Sequence, residues 1–474
     1  MSRTLLRGAQ VITMGRHRPD SEHADLLIDG DTIAGIGQNL GPVDETIDLT
    51  GRIIIPGLVN AHLHTWQAAL RGVGADWTLA EYLANIHYGI ARHYRLDDMH
   101  IGTLAGALNQ INCGTTTLGD WCHNNPTPAH TDAAITGLLD SGIRAVFLHG
   151  TPYGNRGTTH AVEEVDRLLN GPAHAQPLIT VGMAIRGPQL SRPEVVVRDM
   201  RAAQQRGLVV STHQSMGGPE DGWEAAHAAG LIGPLTNVVH GSGLPDDRIR
   251  ALTDAGASFT STPENELGQG HGTPVTAQLL PLGAAPSLGT DTDAVLPGDM
   301  LTAARIALAH QRGLDHDRHR TRTGAFSMTA TVTSKQALSW ATVEGARALG
   351  LADRVGRIEP GMQADLAVID IRALNLWPGP DPSAAALHAG VGNIESVMIA
   401  GRWRKREHGL LDAHTDMVQE RLQQSSERLL HRLRQPGPLP GLRQRVVGLV
   451  VRHRLLHQGR SAHSATIHGG NQEL

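Results

Sequence analysis

A chain of 474 residues, 40% of them hydrophobic, is long enough for a barrel-sized domain with a second module and a sizeable core. Its 41 basic and 46 acidic residues leave a formal charge of −5 with no global basic field, which argues against nucleic-acid or membrane partners. Two cysteines, Cys113 and Cys122, cannot build a disulfide framework and lack zinc-type spacing, and no apolar stretch reads as a signal or a span, so a cytoplasmic protein is expected.

In chain order, residues 4–55 read as short strands split by turn residues, with Asp29-Gly30 and Gly51 as breakers. The same texture returns in "VGRIEPGMQADLAVID" and "VGNIESVMIAGRWR". Residues 1–56 and 355–408 are therefore expected to form the two parts of one small β-sandwich domain. Between them, over 57–354, apolar runs alternate with helical segments: the run before His62, then "TTTLGD", "RAVFLHG", "ITVGMAIRGP", "LVVSTHQS", "TNVVHGSG", "ASFTSTPE" and "APSLGTD". Alternation of this kind predicts βα units and a parallel sheet, an α/β class, and eight runs are what a (β/α)8 barrel needs. Residues 409–474 read as a C-terminal helix followed by a basic tail, with nine arginines from Arg421 onward. An oligomer contact or a solvated amphipathic helix is the expected use of that tail, and the protein is expected to be a homo-oligomer, a dimer.

Most of the runs end in a polar residue: His62 and His64, Asp120, His149, Arg186, His213, His240, Glu264 and Glu266, and Asp291. The C-terminal strand ends of a barrel converge on one face, so these distant residues become neighbours. With 27 histidines in the chain, a pair spaced as His62 and His64 arises by chance about once or twice, and alone it means little. On a strand, however, residues i and i+2 face the same side, and two unpartnered imidazoles make poor core residues. Together with His213, His240 and Asp291 they offer four nitrogen donors and a carboxylate, a set suited to zinc and, less specifically, to Fe2+ or Mn2+.

"PGLVNAHLH", "STHQS", "VVHGSG" and "LGTDTDA", in this order and inside a split β-module, resemble the amidohydrolase superfamily. "HTWQAALRG" and "CGTTTLGDW" are similar to its branch of cytosine, guanine and adenosine-type deaminases and triazine chlorohydrolases. The resemblance spans roughly residues 4–405. It implies a distorted (β/α)8 barrel in which His62, His64, His213 and Asp291 hold a metal. By the same resemblance His240 stands at the metal and polarises the attacking water, and Asp291 accepts that water's proton. The expected function is metal-dependent hydrolysis of a C–N or C–halogen bond in a small cyclic nitrogen-rich compound.

Two features set the sequence apart from that branch. Where the branch has a glutamate that protonates a ring nitrogen, this chain has Met216, and a thioether cannot carry a proton. The segment after the seventh run is also altered, to Pro263-Glu264-Asn265-Glu266. Either Glu264 or Glu266, with His271 close by, takes over the proton transfer, or the reaction does without ring protonation. Alternatives of the second kind are hydrolysis of a cyclic amide or guanidino group, or a decarboxylase, lyase or hydratase using the same metal. Gln67, Trp121, Arg186 and His271 are the candidate substrate-binding residues. The only lysines, Lys335 and Lys405, lie beyond the last ligand, so no lysine bridges two ions and a single divalent metal is expected.

Overall fold

The computed structural model describes residues 3–434, apart from 217 and 219. The basic tail anticipated beyond Arg434 lies outside the described residues. Strands β1 (Arg3–Val11), β2 (Glu22–Asp29), β3 (Thr32–Gly37), β4 (Glu45–Asp48) and β5 (Arg52–Pro56) come first. The barrel strands follow: β6 (Leu58–Leu63), β7 (Thr115–Cys122), β8 (Arg144–Gly150), β9 (Ile179–Ile185), β10 (Val210–Gln214), β11 (Thr236–His240), β12 (Ser258–Ser261) and β13 (Ser287–Leu288). The chain then returns to the first sheet with β14 (Leu366–Asp370), β15 (Ile394–Ile399), β16 (Arg402–Arg406) and β17 (Gly409–Leu410).

The small domain is one mixed sheet of nine strands in the order β17-β16-β15-β14-β5-β1-β2-β3, with β4 also on β1. It is drawn from both ends of the chain because β5 pairs antiparallel with β14 along five residues, Arg52–Pro56 against Leu366–Asp370. One face packs Leu6, Val11, Leu26, Ile28, Ile54, Leu366, Val368 and Met398 into a core of its own. A buried clamp ties it to the barrel: Arg144 on β8 donates from Nε and Nη2 to Asp365 at 2.7 and 3.0 Å. Removing one partner of such a pair strands a charge in the interior, at a cost of about 3–5 kcal/mol.

The eight remaining strands run in sequence order, each parallel to the next. β7 and β8 are buried at every position, as expected for a sheet covered on both faces. Between β5 and β6 the chain passes through Gly57, where a Cβ would fall 2.1 Å from the Thr116 side chain, so only glycine lets the sheet hand over to the barrel. The barrel is distorted where it closes. β13 has only two residues and meets β6 through a single bridge, Leu63 to Asp291. Three backbone bonds complete the seam: His64 N–H to Asp291 O at 2.7 Å, and Asp291 and Thr290 N–H to His62 O at 3.0 and 3.2 Å. Gly289 makes this approach feasible, since a Cβ there would lie 2.7 Å from His62 O. The seam thus joins the two segments that carry the histidine pair and the aspartate. Among the described residues, no helix is long and apolar enough to cross a membrane.

Candidate active site

His62 lies within β6 and His64 one residue past its end; His213 is on β10, His240 ends β11, and Asp291 follows β13. Their side chains meet at the rim. His62 Nε2 is 3.1 Å from Asp291 Oδ1 and 3.2 Å from His213 Nε2, and His64 Nε2 is 3.5 Å from the same carboxylate oxygen. One ligand atom from each of His62, His64, His213 and Asp291 lies within 4.8 Å of all the others. A tetrahedral zinc site with bonds of about 2.0–2.1 Å has ligand-to-ligand edges of about 3.3–3.4 Å, so these separations fit one ion. Protons agree with that: His64 Nδ1 donates to Trp121 O at 2.8 Å, which leaves Nε2 as a lone pair. The two lysines are elsewhere, Lys335 paired with Asp20 and Lys405 donating to Asn112 O, so neither bridges at this rim.

The electrostatics follow from burial against one carboxylate. Burial, with the neighbouring His62, pushes the His64 imidazole down to about 3, and it holds His62 and His213 below their ordinary range. Burial by itself raises the Asp291 carboxyl, but the hydrogen bond from His62 and the surrounding imidazoles outweigh it and hold Asp291 well below the usual carboxylate range. Asp291 is thus an ionised acceptor among neutral imidazoles. Asp291 and His240 both have left-handed backbone, with φ of 61° and 66°, which costs non-glycine residues of order 1–3 kcal/mol and is characteristic of functional positions.

Behind the rim, Glu266 is fully buried and does not face the cluster directly. The segment after β12 is a short helix, Pro263–Gln269, rather than a loop, begun by proline at its first position. From it Glu266 Oε1 accepts from Thr262 N–H at 2.8 Å and lies 3.3 Å from His240 Nδ1, while Oε2 accepts from Ser261 Oγ at 2.6 Å. That places the His240 proton on Nδ1 and leaves Nε2 toward Asp291 and His271. Glu264 is not in this arrangement: half-buried, it is raised by burial and by the neighbouring charge of Asp299. Two residues apart on one helix, Glu264 and Glu266 point about 200° away from each other and cannot aim both carboxylates at the same point.

The other candidates are placed as follows. Gln67 is buried with its amide occupied by Tyr82 OH (2.8 Å) and Thr292 Oγ1 (2.5 Å), so it braces the rim. Trp121 donates to Ser211 Oγ at 3.1 Å and lays its ring 4.2 Å from that of His213. Arg186 donates to Leu190 O at 3.1 Å, in the turn after β9. His271 stands where Met216 leaves a gap in chemistry: Met216 N–H donates to His271 O at 3.1 Å, Ser215 Oγ is 3.2 Å from His271 Nδ1, and the imidazole ring is 4.3 Å from that of His240. Of the remaining strand-end residues, Asp120 is buried beside Thr65 and His149 pairs with His160.

Sequence reasoning overlooked three positions. Asn265 donates from Nδ2 to Asp291 Oδ2, orienting the carboxylate from the side opposite the histidines. His87 and His123 lie beside His64, His123 tilted at 4.5 Å ring to ring and His87 edge-on at 6.1 Å. Asn265 sat inside the altered Pro263–Glu266 segment, and attention to its neighbours' carboxylates hid it. His123 follows β7 directly and was readable as a strand-end residue; His87 carried no such signal.

A (β/α)8 barrel that gathers three histidines and an aspartate at its strand ends defines a metal-site barrel. The chain belongs to the amidohydrolase family, whose model matches residues 53–404. It is 29% identical over 455 residues to a 5-methylthioadenosine/S-adenosylhomocysteine deaminase of Pelotomaculum thermopropionicum, covering 91% of this chain and 100% of that protein. It is 25% identical to a 5'-deoxyadenosine deaminase of Methanosarcina mazei, over 91% and 100% of the two chains. Among solved structures, a zinc-bound adenosine deaminase from Xanthomonas campestris superposes with a TM-score of 0.79 at 22% identity, covering 90% of this chain and 98% of that one. An atrazine chlorohydrolase from Arthrobacter aurescens complexed with zinc gives 0.78 at 22% identity, with 89% and 100% covered.

Proposed function

We propose that this protein is a zinc-dependent hydrolase that displaces an amine, ammonia or halide from a carbon of a small cyclic nitrogen-rich compound. The observation that carries the reading is the convergence of His62, His64, His213 and Asp291 within 4.8 Å of one another, three of the separations being 3.1–3.5 Å, with the Glu266–His240 pair directly behind. His62, His64, His213 and Asp291 would hold the ion, and His240 stands next to it. When bound, a divalent cation supplies the charge that acidifies water to near neutrality. Asp291, its carboxylate fixed by Asn265, would be the group that accepts the water's proton. His240, its Nδ1 proton held by Glu266, turns its Nε2 lone pair toward the rim, where it accepts a hydrogen bond from the attacking water and orients it. Glu266 is a positioning residue that acts through His240.

His271 takes the side of the site that Met216 leaves without a carboxylate. Its Nδ1 contact with Ser215 Oγ orients the ring, and it hydrogen-bonds the leaving group or a ring nitrogen. Met216 itself favours one neighbouring reading, hydrolysis of a cyclic amide or guanidino group that needs no ring protonation.

The test is a screen of the zinc-loaded protein against purines, pyrimidines, triazines, pterins and guanidino compounds for ammonia or halide release in 18O-labelled water. The reading requires at least one substrate whose product carries solvent oxygen, with no release by the Asp291→Asn protein. Turnover without incorporated solvent oxygen would move the site to a lyase or decarboxylase.

A further inference from the structure

Asp291 belongs to two groups of donors. Besides the cluster with His62, His64 and His213, it forms a second with His240 and His271: one ligand atom from each of these three lies within 4.8 Å of the others, and all three residues are buried. The rings of His240 and His271 are 4.3 Å apart and tilted, yet among the described residues no hydrogen bond joins them.

Each imidazole is fixed through one nitrogen and keeps the other. His240 Nδ1 is engaged by Glu266 at 3.3 Å, which leaves Nε2 for the rim. His271 Nδ1 lies 3.2 Å from Ser215 Oγ, while its Nε2 has only a long contact of 3.4 Å with Gln269 Oε1. The backbone of His271 is tied on both sides, its N–H donating to Glu266 O and its carbonyl accepting from Met216 N–H, each at 3.1 Å. Asp291 Oδ1 faces His62 and His64, and Oδ2 accepts from Asn265. A carboxylate offers about four lone-pair sites, so Asp291 can still serve a second cation. Two imidazoles and a carboxylate make a three-donor set with an open fourth position, which zinc accepts.

We propose that His240, His271 and Asp291 form a second, weaker zinc site that shares Asp291 with the first and stops turnover when it fills. It is weaker because it has three protein donors instead of four, one of them already in use. Two cations about 3.5–4 Å apart, the spacing of two-metal sites, also repel each other. Protein purified without added metal therefore holds the first ion alone. The binding follows from the geometry, whereas the loss of turnover rests on the function proposed above. A second ion would take the His240 Nε2 lone pair that orients the water and share the carboxylate that accepts its proton.

The test adds zinc to full-length protein that carries one equivalent, read by calorimetry and by X-ray absorption. A second equivalent binds more weakly than the first, and a zinc–zinc distance of about 3.5–4 Å appears with it. His271→Ala loses both signals and keeps the first ion, and His271→Cys, which restores a zinc donor, regains them. On a substrate from the screen, zinc inhibits the wild type over the same concentration range and a chelator reverses it; the rate of His271→Ala does not respond to zinc in that range. No second equivalent, one retained by His271→Ala, or no zinc–zinc distance overturns the site. A second equivalent that fills without inhibiting overturns the block on turnover and, with it, the roles given to His240 and Asp291. Failure of every compound in the screen would sink the proposed reaction and leave the titration standing.

Discussion

Two buried groups of histidines lie in the same barrel and differ in one respect that decides what each can do. On the flank, His149 and His160 are hydrogen-bonded at 3.1 Å, and burial pushes them down to about 4 and about 3. At the rim, His62 and His64 are buried, His213 partly so, and all three are held below the ordinary imidazole range. Depth and a lowered pKa therefore do not distinguish a site from a brace. The flank pair passes its hydrogen bonds on to Thr151 and so closes on itself. The rim group directs several nitrogen lone pairs and one carboxylate at a common point, an arrangement short of positive charge. Convergence of acceptors is the signature.

The contrast breaks most sharply at Asp291. Asp291→Asn removes a proposed metal donor and the proposed base together, and turnover is expected to fall by more than about a thousandfold, beyond the low end of general-base catalysis. Initial rates on whichever compound the screen identifies measure this. Next comes the pair on the short helix. Glu266→Gln should lower turnover about 10- to 100-fold while the metal stays bound, as loss of a partner behind a site histidine does, whereas Glu264→Gln should stay close to wild type. If both glutamine variants turned over like wild type, the role assigned to Glu266 would fail.

On the flank, His160→Phe strips partners from His149 and Thr151, while the backbone N–H that donates to Asp199 stays in place. It should cost about 1–3 kcal/mol in chemical denaturation with zinc content unchanged. Loss of metal in this variant would erase the distinction between the two groups.

A smaller effect is expected at Asp120, buried on β7 next to Thr65, where burial raises the carboxyl to about 7. Between the ordinary aspartate value and about 7 the folded protein keeps a proton that the unfolded chain gives up. Stability from this group is therefore complete at low pH and is lost as pH rises through that window. Asp120→Asn removes the slope. Its Tm relative to wild type should rise from pH 4.5 to pH 8, by an amount corresponding to at most a few kcal/mol; a difference independent of pH contradicts the assignment.

How far the sequence could be read depended on where each residue stood. His62, His213, His240 and Asp291 lay at the ends of apolar runs, and in a parallel barrel that position alone brings them together. The split small domain was legible because β5 and β14 share one strand texture. The roles of Glu264 and Glu266 were not separable, because the direction of a carboxylate is set by helix phase and not by distance along the chain. Gln67 looked free to touch a ligand only because Tyr82 and Thr292, its partners, approach through the fold. His87 was invisible for the same reason: its partners His123 and Tyr153 come from the segments after β7 and β8.

The central claim is one divalent ion held by His62, His64, His213 and Asp291, and elemental analysis of the purified protein beside its His213→Ala variant tests it most directly. The account predicts close to one equivalent of zinc per wild-type chain and little or none in the variant, since loss of one of four anchoring ligands weakens such sites severely. Two equivalents in the wild type, or a full equivalent retained by His213→Ala, would contradict it.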